Sequence, residues 1–89
     1  MNKSVKEVLE TVVIGRFSIP KGHQSKWFYD ANERLRSVGV ATYTVELAGG
    51  AVPILDLEGV TYVGEHEIGA AVEAFEAATS RRRAEQDTP

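Results

Sequence analysis

The sequence predicts a small α/β protein of element order βαββα, with a four-stranded mixed sheet and its two main helices on one face. Three observations predict it: an apolar, β-branched run at residues 11–17, a helical apolar stripe within residues 27–38, and two short β-rich runs within residues 54–63. The first strand, the helix and the next strand should form a right-handed crossover, which places those two strands parallel. The two closing runs have the spacing of an antiparallel hairpin, which makes the sheet mixed.

The composition is that of an ordinary soluble globular protein, with 43% hydrophobic and 26% charged residues and a formal net charge of −3. This acidic balance disfavours nucleic-acid binding, because Lys and Arg must neutralise phosphates there. The chain has no cysteine, which excludes a disulfide framework, a thiolate metal site and a cysteine nucleophile. The apolar runs are too short for a signal peptide or a membrane span, so we predict a cytoplasmic protein that binds no membrane. Separately, we predict no cofactor.

A chain of 89 residues can bury one core. We therefore predict a single domain over residues 1–80 and a basic, then disordered tail over residues 81–89. Ser4 and Glu7 fit a capping box, which predicts a short leading helix, and a frayed arm is the alternative. The apolar face of that helix would carry Val5, Val8 and Leu9.

The run at residues 11–17 predicts a central strand buried on both faces. Residues 18–25 contain Pro and Gly without any period, which predicts a loop. A helix follows, with Ser25 as its N-cap and Gly39 as the glycine after its last turn. Its apolar stripe consists of Trp27 or Phe28, Ala31, Leu35 and Val38.

The second strand, residues 41–47, alternates between apolar and polar side chains. Such alternation predicts one buried and one wet face. We expect the buried face to carry Tyr43, Val45 and Leu47, and the wet face to carry Thr42, Thr44 and Glu46.

The hairpin strands are predicted at Ile54–Leu57 and Val60–Val63, joined by Glu58 and Gly59. A final helix should begin near Glu65 and end near the basic run at residues 81–83. It would bury Ile68, Ala71, Val72, Phe75 and Ala78.

The hairpin with its flanks carries a resemblance. Val52-Pro53, the hairpin, and Val63-Gly64-Glu65 leading into an amphipathic helix resemble the C-terminal half of a glutaredoxin, in which a valine–cis-proline pair precedes these parts. The resemblance implies a minimal thioredoxin-like fold whose second and third strands flank the first. Any cis peptide bond is then expected at Val52–Pro53. The family's helix before the cis-proline is missing, since only residues 48–52 separate Leu47 from Pro53.

In the family that helix covers the sheet face opposite the other two helices. Its loss should leave this face bare, with polar side chains adapted to water and an apolar band from the first strand and Ile54. Either the leading helix or a second chain would cover the band. The polar side chains expected there are Thr42, Thr44, Glu46 and Asp56.

The resemblance also implies a glutathione site, made by the residue before the proline, a lysine and the glycine–acidic turn. Val52, Pro53, Gly64 and Glu65 match these positions, and Lys21 is the candidate lysine. His23 and His66 should lie at the same end of the molecule, with Glu65 and Glu67 beside His66. Because adjacent residues of a helix point in different directions, these side chains would not converge, and we predict no metal site. A basic and aromatic cluster near the first helix has the composition of an interface: Lys21, His23, Lys26, Trp27, Phe28 and Tyr29.

Because the thiols are absent, we predict a redox-inactive glutaredoxin-like domain that acts by protein–protein binding, as an adaptor or an inhibitor and not as an enzyme. A phage or an accessory bacterial gene is the expected origin. The alternatives are a domain that binds glutathione or another small molecule, using Ser25 or Tyr29 in place of a thiol, and a structural homodimer. We predict no catalytic residue; the binding candidates are Lys21, His23, Trp27, Val52, Pro53, Gly64 and Glu65.

Overall fold

A computed structural model describes the backbone of residues 12–87 and the side chains of residues 12–84. The leading helix predicted near Ser4 lies outside the described residues. The elements are strand β1 (Val13–Pro20), helix α1 (Lys26–Ser37), strands β2 (Val40–Leu47), β3 (Ile54–Leu57) and β4 (Val60–Val63), and helix α2 (Glu65–Asp87).

The four strands form one mixed sheet of order β2-β1-β3-β4. Strand β1 pairs parallel with β2 and antiparallel with β3, and β3 pairs antiparallel with β4. The α/β class, the βαββα order, the mixed sheet and the central place of β1 are thus confirmed.

A single core lies between the sheet and the two helices, which pack on the same face. At its centre the rings of Phe17 and Phe28 meet edge to face, with centroids 5.2 Å apart. This core includes most of the predicted stripes of both helices. Val38 and Phe75 are half-buried and pack against it, whereas Ala78, predicted to be buried, is half-buried and is not one of its members. Its buried members are Phe17, Ile19, Phe28, Ala31, Leu35, Val40, Leu55, Leu57, Ile68, Ala71 and Val72.

Strand β1 lies further along the chain than predicted. The parallel register continues through Pro20, which lies opposite Leu47, so the predicted loop begins at Lys21 and not at Ser18. The prediction of burial on both faces is wrong for the first half of the strand, where Ile14 is 57% exposed. Every residue of Phe17–Pro20 is buried, but of these only Phe17 belongs to the run for which burial was predicted.

The predicted faces of β2 are reversed. Thr42 lies opposite Gly15 on the helix side, and its hydroxyl donates to the side-chain oxygen of Asn32 in α1. Tyr43 and Val45 point the other way and are 51% and 42% exposed. Alternation separates two sets of residues, but the register with β1 decides which set faces the helices.

The hairpin has the predicted strands. Glu58 and Gly59 have φ values of 52° and 77°, as a two-residue type I′ turn requires. The link over residues 48–53 carries the chain across the end of β1, since β2 and β3 lie on opposite sides of it. The Val52–Pro53 bond is trans, so the cis bond implied by the resemblance is absent. Trans is the more stable X–Pro isomer by about 0.5–1 kcal/mol, and this link spans the sheet in that form.

Both helices begin where predicted. Ser25 is at the N-cap position of α1 and has an extended backbone, but its side chain makes no capping hydrogen bond. Its backbone carbonyl accepts a hydrogen bond from the Phe28 N–H at 3.0 Å. Gly39 has a φ of 93° just after α1, as predicted for a glycine there. Helix α2 continues to Asp87, so the domain boundary predicted at residue 80 falls inside it, and residues 84–87 are helical where disorder was predicted.

An ion pair joins the two helices. Arg34 Nε of α1 donates to Glu76 Oε2 of α2 at 3.1 Å, and Nη2 donates to the other carboxylate oxygen. Asp30 also lies 3.6 Å from this guanidinium. The hydrogen bonds from Arg34 lower the pKa of Glu76 below its ordinary value of 4.5, although desolvation opposes the shift.

This pair predicts a pH-dependent contribution to stability. Because the pKa of Glu76 is lower in the folded state, its stabilisation is present above about pH 4.5 and is lost as the pH falls through the folded pKa. We expect the gap in Tm between wild type and Glu76→Gln to be largest at neutral pH and to narrow as the pH falls below about 4.5. Thermal unfolding followed by circular dichroism measures it.

The matched control is Arg34→Gln, which should lose the same pH-dependent part of the stability, since Arg34 causes the shift. The double variant should then add nothing to that pH dependence. A gap in Tm that stays constant from neutral to acidic pH would contradict the role assigned to this pair.

Candidate functional site

The binding residues predicted from the sequence lie at one end of the sheet. Strands β1, β2 and β4 end there and β3 begins there, because β3 runs in the direction opposite to the other three strands. Three connections therefore meet at this end, with Trp27 just beyond them in the first turn of α1. They carry Lys21 and His23 after β1, Val52 and Pro53 before β3, and Gly64 and Glu65 after β4.

Pro53 and Gly64 are brought together, and their contact holds the fold. The Gly64 N–H donates to the Pro53 carbonyl at 2.8 Å, and the Gly64 carbonyl accepts from Ile68 at 3.0 Å. Gly64 has a φ of 95°, which favours glycine at the turn from β4 into α2. Glu67 accepts from the Val63 N–H at 3.0 Å and caps the same turn. These bonds give Pro53, Gly64 and Glu67 a structural role in fixing the start of α2.

The other predicted residues form a separate group. The Lys21 N–H donates to the Leu47 carbonyl at 3.1 Å, and the His23 N–H donates to the Pro20 carbonyl at 3.0 Å. Trp27 is half-buried against the core beside Phe28, with ring centroids 6.3 Å apart. Within residues 12–87 no hydrogen bond or ion pair joins this group to Val52, Gly64 or Glu65.

This end of the sheet has little of the geometry of a chemical site. Glu65 and His66 line a shallow depression of about 530 Å³ between the helices, together with Arg34, but this depression opens widely to solvent. Among the residues that the structure describes, no cluster of three or more His, Cys, Asp or Glu side chains has the arrangement of a metal site.

The sheet face opposite the helices, here called the open face, has a different character. None of the helices in residues 12–87 packs on it. The strand registers assign to it alternate residues of each strand, which for β1 begin with Ile14 and for β2 with Ala41. Its members are Ile14, Arg16, Ser18, Pro20, Ala41, Tyr43, Val45, Leu47, Ile54, Asp56, Thr61 and Val63.

Apolar side chains are exposed over much of the open face. The exposed fractions are 57% for Ile14, 51% for Tyr43, 42% for Val45 and 45% for Val63. Towards the connection end, Ser18 is buried and Ile54 half-buried. The exposed apolar surface therefore covers the start of β1 and the middle of β2 and reappears at the outer strand β4.

A polar network crosses the middle of the open face. Arg16 Nη2 donates to Asp56 Oδ2 at 3.1 Å, and the Thr61 hydroxyl donates to Asp56 Oδ1 at 2.6 Å. The bond from Thr61 and the guanidinium of Arg16 lower the pKa of Asp56, against the opposing effect of desolvation. The one carboxylate of the open face is thus held ionised beside the one guanidinium, so the face presents little net charge.

Sequence reasoning predicted a bare face here but assigned it the wrong residues from β2. Thr42, Thr44 and Glu46 face the helix side, and Asp56 was placed correctly. The sequence carries no signal that would have corrected the assignment, because the assignment depends on the register between β1 and β2.

The chain matches no protein-family model, no curated protein and no solved structure. Within residues 12–87 no helix is long and apolar enough to cross a membrane.

Proposed function

We propose that this chain is a redox-inactive, glutaredoxin-like adaptor or inhibitor that binds a partner protein through the open face. The observation that carries the proposal is the exposure of Ile14, Tyr43, Val45 and Val63 on a sheet face that no described helix covers. Exposed apolar side chains grouped on one face are typical of interaction sites.

An amphipathic α-helix of the partner is the occupant that this surface fits. Three strand spacings separate β2 from β4, which is about 14 Å at about 4.8 Å per spacing. One helix with side chains is about 10–12 Å across. In the family that this chain resembles, a helix covers the same face, so the partner would supply the helix that this chain lacks.

The charges of the open face agree with such an occupant. Arg16 and Asp56 satisfy each other, with Thr61 completing the carboxylate's bonds. An apolar helix face can therefore approach without leaving an unpaired charge buried beneath it. The apolar contact would come from Tyr43 and Val45 on one side of the polar network and from Val63 on the other.

A pair of tyrosines allows a matched test by photo-cross-linking. Tyr43 lies on the open face and Tyr29 on α1, and they are 51% and 55% exposed. A photoreactive phenylalanine analogue placed at Tyr43 of the full chain, in cells of the native source, is expected to trap one partner protein. The same analogue at Tyr29 should trap it much less, since both sites are equally accessible but lie on different faces.

Reconstitution with the trapped partner completes the test. Val45→Glu should weaken binding at least about tenfold, because a charge would be buried in an apolar contact. Tyr29→Glu should leave the affinity unchanged, and the cross-linked partner segment should be an amphipathic helix. Cross-links from Tyr43 to residues 1–11 of the same chain, to a second copy only, or to nothing would each overturn this proposal.

A further inference from the structure

Among residues 12–87, strand β2 is an edge strand, and none of these residues pairs with the backbone on its outer side. It has eight residues, whereas the opposite edge strand β4 has four. Residues Tyr43 to Glu46 are all exposed. Proteins normally protect such an edge with proline, a bulge or lysine, and the sequence of β2, Val-Ala-Thr-Tyr-Thr-Val-Glu-Leu, contains only the single charge of Glu46.

The direction of the free backbone groups follows from one hydrogen bond. The Leu47 carbonyl accepts from the Lys21 N–H at 3.1 Å, so Leu47 directs its backbone groups towards β1. Successive residues of a strand direct these groups to alternate sides. The residues of the other parity, which include Thr42, Thr44 and Glu46, therefore present their N–H and C=O groups to the free edge.

We propose that a second copy of this chain binds at this edge, with the two β2 strands antiparallel and Thr44 opposite Thr44 of the other copy. In this register Thr42 lies opposite Glu46, so the outward backbone groups of one copy meet those of the other. About six N–H···O=C bonds then form across the pair. The two Glu46 side chains do not lie opposite each other.

The side chains favour this register. On the open face it places Tyr43 opposite Val45 twice, and aromatic–β-branched pairs stabilise neighbouring strands. Shifting the pairing so that Tyr43 meets Tyr43 would place Val40, which is 3% exposed, opposite the charge of Glu46. Because opposite residues of an antiparallel pair point to the same side, the helices of both copies lie on one face and the two open faces become continuous.

This inference does not rest on the proposed function, since it uses the strand edge and not the sheet face. A dimer built in this way would have an eight-stranded sheet in which Tyr43 and Val45 of both copies form one apolar patch at the centre.

The absence of cysteine in the chain allows a direct test. Thr44→Cys would place two thiols on opposite residues of a hydrogen-bonded pair, whose Cα atoms are about 5.5 Å apart, within disulfide reach. Mild oxidation is expected to join most of this full-length variant into a covalent dimer. Val60→Cys, on the other edge strand and 48% exposed in the wild type, is the matched control and should remain mostly monomeric.

A second variant tests the edge without a thiol. Thr44→Pro removes an N–H that points away from β1, so the fold should persist while pairing at the edge is lost. Sedimentation equilibrium should show wild type approaching twice the monomer mass with rising concentration, and Thr44→Pro at least tenfold weaker in self-association. A wild-type mass that stays monomeric at millimolar concentration, or equal cross-linking of the two cysteine variants, would overturn the inference. Because Tyr43 lies opposite Val45 of the second copy in this dimer, cross-linking from Tyr43 would then trap the second copy too, and the test of the open face is decided by whether a partner protein is trapped as well.

Discussion

Replacing Phe17 with alanine is expected to lower the free energy of unfolding by about 3–5 kcal/mol. Phe17 is fully buried in the central strand, and its ring packs edge to face on Phe28 at 5.2 Å. Removing the ring loses its transfer from water and leaves a cavity between β1 and α1 that a tightly packed core fills only in part. Since small domains are stable by about 5–15 kcal/mol, this variant should be close to unfolding at room temperature.

Ile14→Ala is the matched control for this prediction. Ile14 is on the same strand, three residues earlier, but its side chain is on the open face and 57% exposed. Its removal should change the free energy of unfolding by no more than about 0.5–1 kcal/mol. Urea unfolding of both variants gives the comparison, and equal losses would mean that β1 is buried on both faces along its length.

The fold follows from the sequence where local chemistry decides the structure. The hairpin was predicted to the residue because Glu58-Gly59 permits the positive φ values of a type I′ turn. Helix α1 was predicted from the spacing of Phe28, Ala31 and Leu35 and from the glycine at position 39, and α2 from the spacing of Ile68, Ala71 and Val72. These features depend on residues a few positions apart.

What the sequence could not predict depends on contacts between distant residues. The faces of β2 are set by its register with β1, and a shift of one residue exchanges them without changing the sequence pattern. The end of β1 at Pro20 likewise depends on the pairing with Leu47, which overrides the loop character of Ser18 and Pro20.

The candidate site, like the fold, could be predicted from the sequence only in part. The residues near Val52 and Gly64 were predicted to lie together, and the Pro53–Gly64 bond joins their two connections. Their chemistry was inferred from a cis-proline, and the bond is trans. The open face was predicted as a consequence of a missing helix, but its exposed members Tyr43 and Val45 could be identified only after the register was known.

Replacing Gly15 with leucine is expected to lower the free energy of unfolding by about 1–3 kcal/mol, because core side chains occupy the space next to this glycine. A Cβ atom at Gly15 would lie 3.3 Å from Val40 Cγ1, 3.6 Å from Leu57 Cδ1 and 3.7 Å from Leu55 Cδ1. These side chains from both neighbouring strands occupy the space above the glycine. The further atoms of a leucine would have to displace them, and a core at crystalline density has no room for that volume.

Alanine at position 15 separates the two parts of this effect. Its single methyl group requires Val40 to move by only a few tenths of an ångström, so we expect a change within about 1 kcal/mol in the free energy of unfolding. Gly49→Leu is the control for leucine itself, because nothing lies within 4 Å of a Cβ atom there and the residue is exposed. Urea unfolding of the three variants should therefore rank Gly15→Leu far below the other two. If Gly15→Leu were as stable as Gly49→Leu, the side chains of Val40 and Leu57 would not fill the space above Gly15.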